Sequence, residues 1–76
     1  MELKEFIQNF AEQFDETDIN EFKPETVFHE LEEYSSLIAL SIIAMINEEY
    51  DVTLKGDDMS AAVTIEDLFN IVKGKM

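Results

Sequence analysis

The segment from Ser36 to Asn47 carries no charged side chain, whereas the whole chain of 76 residues contains 18 acidic residues. Read as a helix, the segment has apolar residues on two neighbouring faces. One face comprises Leu37, Leu40, Ile43, Ala44 and Asn47. The other comprises Ile38, Ile42, Met45, Ile46 and Glu49. Because apolar residues surround much of the cylinder, we predict a helix over 36–50 that is central to the fold or displays apolar surface to a partner.

Further helices are predicted on either side of this segment. One apolar stripe indicates a helix over about 3–14, and it is formed by Leu3, Phe6, Ile7, Phe10 and Phe14. A last helix is expected after Thr64, because Thr64 and Asp67 have the spacing of a capping box. Its apolar face comprises Ile65, Leu68, Phe69 and Val72, and Lys73-Gly74-Lys75 is typical of a helix C-terminus. Asp57 to Ala61 is expected to form one short helical turn.

Residues 15–35 are predicted to form a long loop, because the stretch begins with polar turn-forming residues and Pro24 interrupts any helix. A loop of this length in a compact domain indicates a function or a short helix within it. Its expected anchors to the core are Ile19, Phe22, Val27, Phe28 and Leu31. The predicted fold is all-α, a small three-to-four-helix bundle with a long first loop, and residues 1–76 form a single domain. Its core is predicted from Leu3, Phe6 and Phe10, from Leu40, Ile43 and Ala44, and from Leu68, Phe69 and Val72.

The net charge of −13 excludes some classes of partner. A phosphate backbone requires a basic footprint, so nucleic-acid binding is not expected, and an anionic membrane surface is disfavoured for the same reason. Without cysteine, the chain has neither a disulfide nor a thiolate metal site. No targeting segment or membrane span is visible, so we expect a cytoplasmic protein. We also expect it to be a monomer. The charge is uneven, because residues 1–35 hold 11 acids and two lysines, a net charge of −9.

Few residues suggest chemistry by themselves. The acids lie in loops and at helix ends, where charge is ordinarily solvated, and neither acidic loop has the ligand spacing of a calcium site. His29 is the only histidine, and a surface or partly packed side chain is the simpler interpretation than a catalytic one. Ser35 and Ser36 precede the apolar helix, where serine ordinarily serves as a cap. A serine at a helix start also suits the attachment of a phosphoryl-linked group, because backbone N–H groups there tolerate an anion.

The stretch from Phe28 to Leu37, FHELEEYSSL, resembles the acyl carrier protein family. In that family a phenylalanine-containing loop leads into Asp-Ser-Leu at the head of the second helix, and here Ser36-Leu37 matches Ser-Leu. Glu48-Glu49-Tyr50 matches the acid-acid-aromatic end of that helix, and Thr64-Ile65 resembles the start of the last one. The resemblance extends over nearly the whole chain.

The resemblance implies a carrier of acyl groups rather than an enzyme. A phosphopantetheinyl transferase would transfer 4′-phosphopantetheine from coenzyme A to Ser36, and the arm would carry acyl groups as thioesters. The implied partners are that transferase and the acyl-loading and acyl-processing enzymes of fatty-acid, polyketide or specialised acyl biosynthesis. The alternative is a small acidic helical module that binds basic proteins without a cofactor, but this alternative does not explain the Ser-Leu placement.

The chain departs from the family pattern in two respects. Ser35 replaces the aspartate of Asp-Ser-Leu, which leaves Ser35 as a competitor for modification, although the apolar periodicity starting at Leu37 favours Ser36. The first turns of the helix also lack the acids that many members present to basic enzymes. We therefore predict a partner surface with an apolar centre and an acidic rim. Its centre is the uncharged stretch that begins with Leu37 and Ile38. Its rim comprises Glu30, Glu32 and Glu33 before that stretch and Glu48, Glu49, Asp57 and Asp58 after it.

Overall fold

A computed structural model describes residues 2–76 and confirms the all-α architecture. Its four helices are α1 (Leu3–Ala11), α2 (Ser36–Tyr50), α3 (Gly56–Ala61) and α4 (Ile65–Gly74). Two single-turn 3₁₀ helices, Ile19–Glu21 and Phe28–Glu30, lie in the connection between α1 and α2. Within residues 2–76, β-pairing is limited to one isolated bridge between Val27 and Thr64. No helix in this range is long and apolar enough to cross a bilayer.

Helix α1 ends at Ala11, three residues before the predicted end. The amides of Gln13 and Phe14 bond to carbonyls three residues back, at Phe10 and Ala11, so the chain tightens into a 3₁₀-type turn. This turn still buries the Phe14 ring, which is only 7% exposed. The apolar stripe that ends at Phe14 therefore extends three residues beyond the C-terminus of α1.

Helix α2 begins and ends where the sequence predicted, but its orientation differs from the prediction. The buried residues are Ile42, Met45 and Ile46, on the second of the two apolar faces. Leu40 is 63% exposed and Ala44 is also exposed, so their assignment to the core was wrong. The two faces are similar in hydrophobicity, and packing against α1 selects between them: the side-chain amide of Asn9 donates to the Tyr50 hydroxyl at 2.9 Å.

The long connection is held in place by aromatic packing. Phe22 and Phe28 are buried, and their rings lie 6.1 and 5.4 Å from the ring of Phe10, centroid to centroid. Two predicted anchors are thereby confirmed, whereas Ile19 is 58% exposed and does not anchor the loop. Edge-to-face geometry at these distances is favourable beyond the area that it buries. Phe10 therefore joins α1 to the connection that leads into α2.

The start of α4 is held by a capping box and by bonds to the long connection. The Thr64 hydroxyl accepts the Asp67 amide at 3.1 Å, and the Asp67 carboxylate accepts the Thr64 amide at 3.1 Å, which confirms the predicted capping box. The amides of Ile65 and Glu66 donate to the carbonyls of Thr26 and Pro24. The first turn of α4 is thus bonded to the middle of the long connection.

Candidate functional site

The two serines at the start of α2 have different structural positions. Ser35 is the N-cap: its backbone is extended (φ −155°, ψ 175°), and its Oγ accepts the amide of Ile38 at 3.3 Å. Ser36 is the first helical residue. Both side chains are exposed. The hydroxyl of Ser35 is therefore engaged in capping, whereas that of Ser36 has no bonding partner within residues 2–76.

The end of α2 at Ser36 presents free hydrogen-bond donors. The first backbone bond of the helix runs from the Ala39 amide to the Ser35 carbonyl at 2.9 Å. Among residues 2–76, the amides of Ser36 and Leu37 find no acceptor, and the first turn of α2 contains no acid. Free N–H groups and the positive end of the helix dipole favour a negative group at this position.

The Glu33 carboxylate holds the segment that leads into α2. Its oxygens accept the amides of Asp15 (2.7 Å), Glu16 (3.0 Å) and Thr17 (3.0 Å), and the Thr17 hydroxyl at 2.7 Å. These bonds, chiefly those from the Asp15 amide and the Thr17 hydroxyl, hold the pKa of the Glu33 carboxyl below its ordinary value of 4.5. The Glu33 side chain thus connects residues 15–17, which follow α1, to the position three residues before Ser36.

Replacement of this carboxylate is expected to weaken the fold in a pH-dependent way. Because the pKa of Glu33 is lowered in the folded state, its stabilising effect is present above about pH 4.5 and is lost as the pH falls through the folded-state pKa. Glu33→Gln should therefore unfold at lower urea concentration than the wild type at pH 7, and the two midpoints should converge as the pH falls through the folded-state pKa of Glu33. Urea titrations at several pH values measure this difference.

Glu32→Gln is the matched control for that comparison. It removes the same charge from the neighbouring residue, which is exposed and makes no side-chain hydrogen bond within the described chain. We expect its urea midpoint to equal or slightly exceed that of the wild type at pH 7, because it only relieves repulsion between acids. A wild-type midpoint for Glu33→Gln at pH 7 would contradict the structural importance of the Glu33 carboxylate.

His29 bonds to backbone rather than to acids or hydroxyls. Its Nε2 lies 3.1 Å from the carbonyl oxygen of Met59 and 3.0 Å from that of Ala62, at the end of α3. Its ring also stands edge-on to Tyr34, with 5.0 Å between the centroids. His29 is exposed on one side, so the expectation of a surface or partly packed side chain is confirmed, but the connection that it makes between α3 and the residue before Ser35 was not predicted. No sequence signal indicated it, since the two carbonyls lie 30 and 33 residues away.

The predicted apolar centre of the partner surface is only partly available. Leu37 is 73% exposed, at the outer side of the first turn of α2. Ile38 is half-buried and packs against the core. Leu40, which the sequence assigned to the core, is exposed next to Leu37 along the helix. The exposed apolar surface of α2 near Ser36 is thus formed chiefly by Leu37 and Leu40.

Of the predicted rim acids, Glu48 and Glu49 lie far from Ser36 along α2. Glu48 lies twelve residues beyond Ser36, about 18 Å along the helix axis. Glu48 and Glu49 line a polar groove between α2 and α1 together with Asn9, Glu12 and Gln13. Asp58 accepts the Lys55 amide at 3.0 Å and lies 3.7 Å from the Lys75 ammonium, while Asp57 is exposed. The predicted rim acids that follow Ser36 in sequence are therefore divided between the last turn of α2 and the first turn of α3.

A comparison with protein-family models is decisive for the family. The model described as phosphopantetheine attachment site matches residues 4–72. The chain belongs to the phosphopantetheine-attachment family. Searches of curated proteins and of solved structures found no match. The family and the cofactor that the sequence resemblance implied are both confirmed, because this family attaches 4′-phosphopantetheine covalently.

The residues of this carrier domain fit such a group. The group supplies the thiol on which a carrier holds its cargo, and the chain itself contains no cysteine. The exposed Ser36 hydroxyl is accessible to a transferring enzyme, and the free amides of Ser36 and Leu37 suit the negative charge of a phosphodiester. Carrier domains of this family interact with phosphopantetheinyl transferases and with acyl-processing enzymes.

Proposed function

We propose that this chain is an acyl carrier protein, which holds acyl intermediates as thioesters on a 4′-phosphopantetheine arm attached to Ser36. It presents them to enzymes of fatty-acid, polyketide or specialised acyl biosynthesis and has no catalytic activity of its own. The observation that carries this proposal is the place of Ser36, an exposed first residue of α2 in a chain that the family model matches over residues 4–72.

The capping geometry supports Ser36 over Ser35 as the attachment site. Aspartate and serine are both favoured N-cap residues, because each places a side-chain oxygen near the first free amides of a helix. Ser35 makes such a bond to Ile38. The Ser35 that replaces the aspartate of Asp-Ser-Leu thus keeps the capping function of that position, and Ser36 falls in the place of the motif serine.

The partner surface of the proposed carrier combines apolar contact with electrostatic attraction. Leu37 and Leu40 offer exposed apolar area beside Ser36. Ile38 is half-buried and packs against the core, so only part of its side chain adds to this area. Glu48 and Glu49 at the end of α2 and Asp57 and Asp58 at the start of α3 contribute negative charge that attracts enzymes with basic surfaces. Rim charges of this kind mainly raise the rate of encounter, and salt screens their effect.

Charge reversal at the far end of α2 is expected to slow modification. The double variant Glu48→Lys and Glu49→Lys should lower kcat/KM of a phosphopantetheinyl transferase several-fold at low salt, because the attraction to a basic enzyme is reduced. The effect should diminish near 0.5 M salt, where the Debye length is only a few ångströms. Initial rates of coenzyme A-dependent mass gain at two salt concentrations measure it.

A control variant separates local charge from net charge. Glu25→Lys and Glu66→Lys produce the same change in net charge at exposed positions away from α2. Their kcat/KM should remain within about twofold of the wild-type value if the effect comes from the α2 rim. Equal slowing in both double variants would show that net charge, and not the position of Glu48 and Glu49, governs the encounter.

Intact-mass measurement tests the proposed function itself. The purified chain is incubated with coenzyme A and a broad-specificity phosphopantetheinyl transferase and is then weighed, and fragmentation of the modified peptide identifies the serine. We expect a mass gain of one phosphopantetheine group located on Ser36. If several transferases produced no gain, the chain would instead fit an acidic module that binds basic proteins without a cofactor. Loading of the modified protein with acyl groups of different classes then identifies the cargo.

A further inference from the structure

The His29 imidazole links α3 to the residue that precedes the two serines. We propose that His29 is a positioning residue for the modification of Ser36: it ties the end of α3 to Tyr34 and so holds the entry into α2 in the geometry that presents the Ser36 hydroxyl. This inference rests on the proposed attachment at Ser36.

The first half of the link is a pair of hydrogen bonds. Nε2 of His29 lies 3.1 Å from the Met59 oxygen and 3.0 Å from the Ala62 oxygen. Carbonyl oxygens can only accept, so Nε2 carries the proton and donates to both. These oxygens belong to the last turn of α3 and the residue that caps it, where a helix lacks its own donors. The imidazole therefore supplies a donor that α3 does not have.

The second half of the link is a cluster of three rings, Phe28, His29 and Tyr34. The His29 ring is 4.3 Å from Phe28 and 5.0 Å from Tyr34, and Phe28 is 5.5 Å from Tyr34, all between centroids. Phe28 is fully buried, so the cluster has a rigid base in the core. Tyr34 meets both other rings edge-on, at 75° and 68°. Its side chain is thereby confined immediately before the N-cap Ser35.

The link has a counterpart on the other side of the same segment. Glu33 binds the amides of residues 15–17, and the next residue, Tyr34, contacts His29. The chain entering α2 is thus held toward the end of α1 by a carboxylate and toward α3 by an imidazole. Helix α3 has only six residues and is a short, separately connected element. Met59 anchors this helix in the core, and His29 adds a direct link from its end to the segment that precedes Ser36.

Two substitutions separate the contribution of the His29 hydrogen-bond donor from that of the His29 ring. In His29→Gln, the amide Nε2 lies the same number of bonds from the backbone and can donate to Met59 and Ala62, and a planar group remains beside Tyr34. In His29→Phe, the ring remains but the donor is lost. Both variants are assayed as full chains under conditions in which urea titration shows them to be folded. The transferase rate is measured over a range of carrier concentrations, which separates kcat from KM.

The proposal predicts a lower kcat for His29→Phe by about three- to ten-fold, the range expected for loss of one hydrogen-bonded tether. KM should change little, because Leu37 and Leu40 still offer the docking surface, and His29→Gln should remain within about twofold of the wild type. The amides of Tyr34 and Ala39, which are hydrogen-bonded to the carbonyls of Leu31 and Ser35, should exchange with solvent faster in His29→Phe than in His29→Gln. A wild-type kcat for His29→Phe, or equal slowing in both variants, would overturn the proposal.

The two inferences fail in different ways. If the wild-type chain gained no mass with any transferase, the proposed attachment at Ser36 would be refuted. The positioning effect would then be decided by amide exchange in the unmodified protein alone. Equal exchange at the Tyr34 and Ala39 amides in the two His29 variants would overturn it, and faster exchange confined to His29→Phe would support it.

Discussion

The Ser36→Ala protein is expected to gain no mass when it is incubated with coenzyme A and a phosphopantetheinyl transferase, whereas Ser35→Ala is expected to gain as much as the wild type. The reason is that a phosphodiester requires a hydroxyl at the attachment position, and the Ser36 hydroxyl is exposed and has no bonding partner within residues 2–76. Intact mass after complete reaction gives an all-or-none readout, which makes this the largest expected functional effect.

Ser35→Ala is instead expected to lower the free energy of unfolding. It removes the oxygen that accepts the Ile38 amide at 3.3 Å, and loss of an N-cap costs about 0.5–2 kcal/mol. Ser35→Asp is the matched control, since aspartate restores a capping oxygen and should recover most of the lost stability. A mass gain that disappeared in Ser35→Ala and persisted in Ser36→Ala would place the arm on Ser35.

Phe10→Ala is expected to have the largest effect on stability, a loss of about 3–5 kcal/mol. Phe10 is 0% exposed, and its ring lies within 6.5 Å of the rings of four other phenylalanines, centroid to centroid. Truncation leaves a cavity at the point where α1 and the long connection meet. Because small domains have only about 5–15 kcal/mol of stability, this loss removes a large part of it. Urea unfolding followed by circular dichroism measures the change.

Leu40→Ala tests which face of α2 is buried. Leu40 is 63% exposed, so its truncation creates no cavity, and alanine favours a helix at least as well. We expect a change within about 0.5 kcal/mol. A loss of several kcal/mol in Leu40→Ala would show that the face containing Leu40 is the buried one, as the sequence had indicated.

Local signals in the sequence predicted those parts of the molecule that depend on neighbouring residues. The bounds of α2 follow from an apolar segment that begins after two serines and ends at an acidic cluster, and the start of α4 follows from the capping box of Thr64 and Asp67. These features arise from hydrogen bonds and contacts within four residues along the chain. The family motif around Ser36-Leu37 is local in the same sense, and it led to the confirmed cofactor.

The features that the sequence did not predict have two causes, an ambiguous local pattern and contacts between residues far apart in sequence. The early end of α1 was missed because a periodic apolar stripe does not distinguish an α-helix from a helix that ends in a tighter turn. The Glu33 bonds to residues 15–17 span 16 to 18 residues, and a glutamate in an acidic loop has no sequence signal that marks it as an anchor. The same holds for His29, whose partners on α3 can be seen only once the chain is folded.

The sequence by itself determined that this is a helical chain with a candidate attachment serine at the head of an uncharged helix, because helix periodicity, capping and a short motif are local properties. Only the tertiary structure decided which face of α2 is buried. Its two faces have similar apolar character, and the choice depends on how the Phe-rich α1 and Tyr50 meet across the interior. That choice leaves Leu37 and Leu40 exposed beside Ser36. Of the two roles that periodicity left open for α2, one face takes the first, as core, and the other face stays exposed.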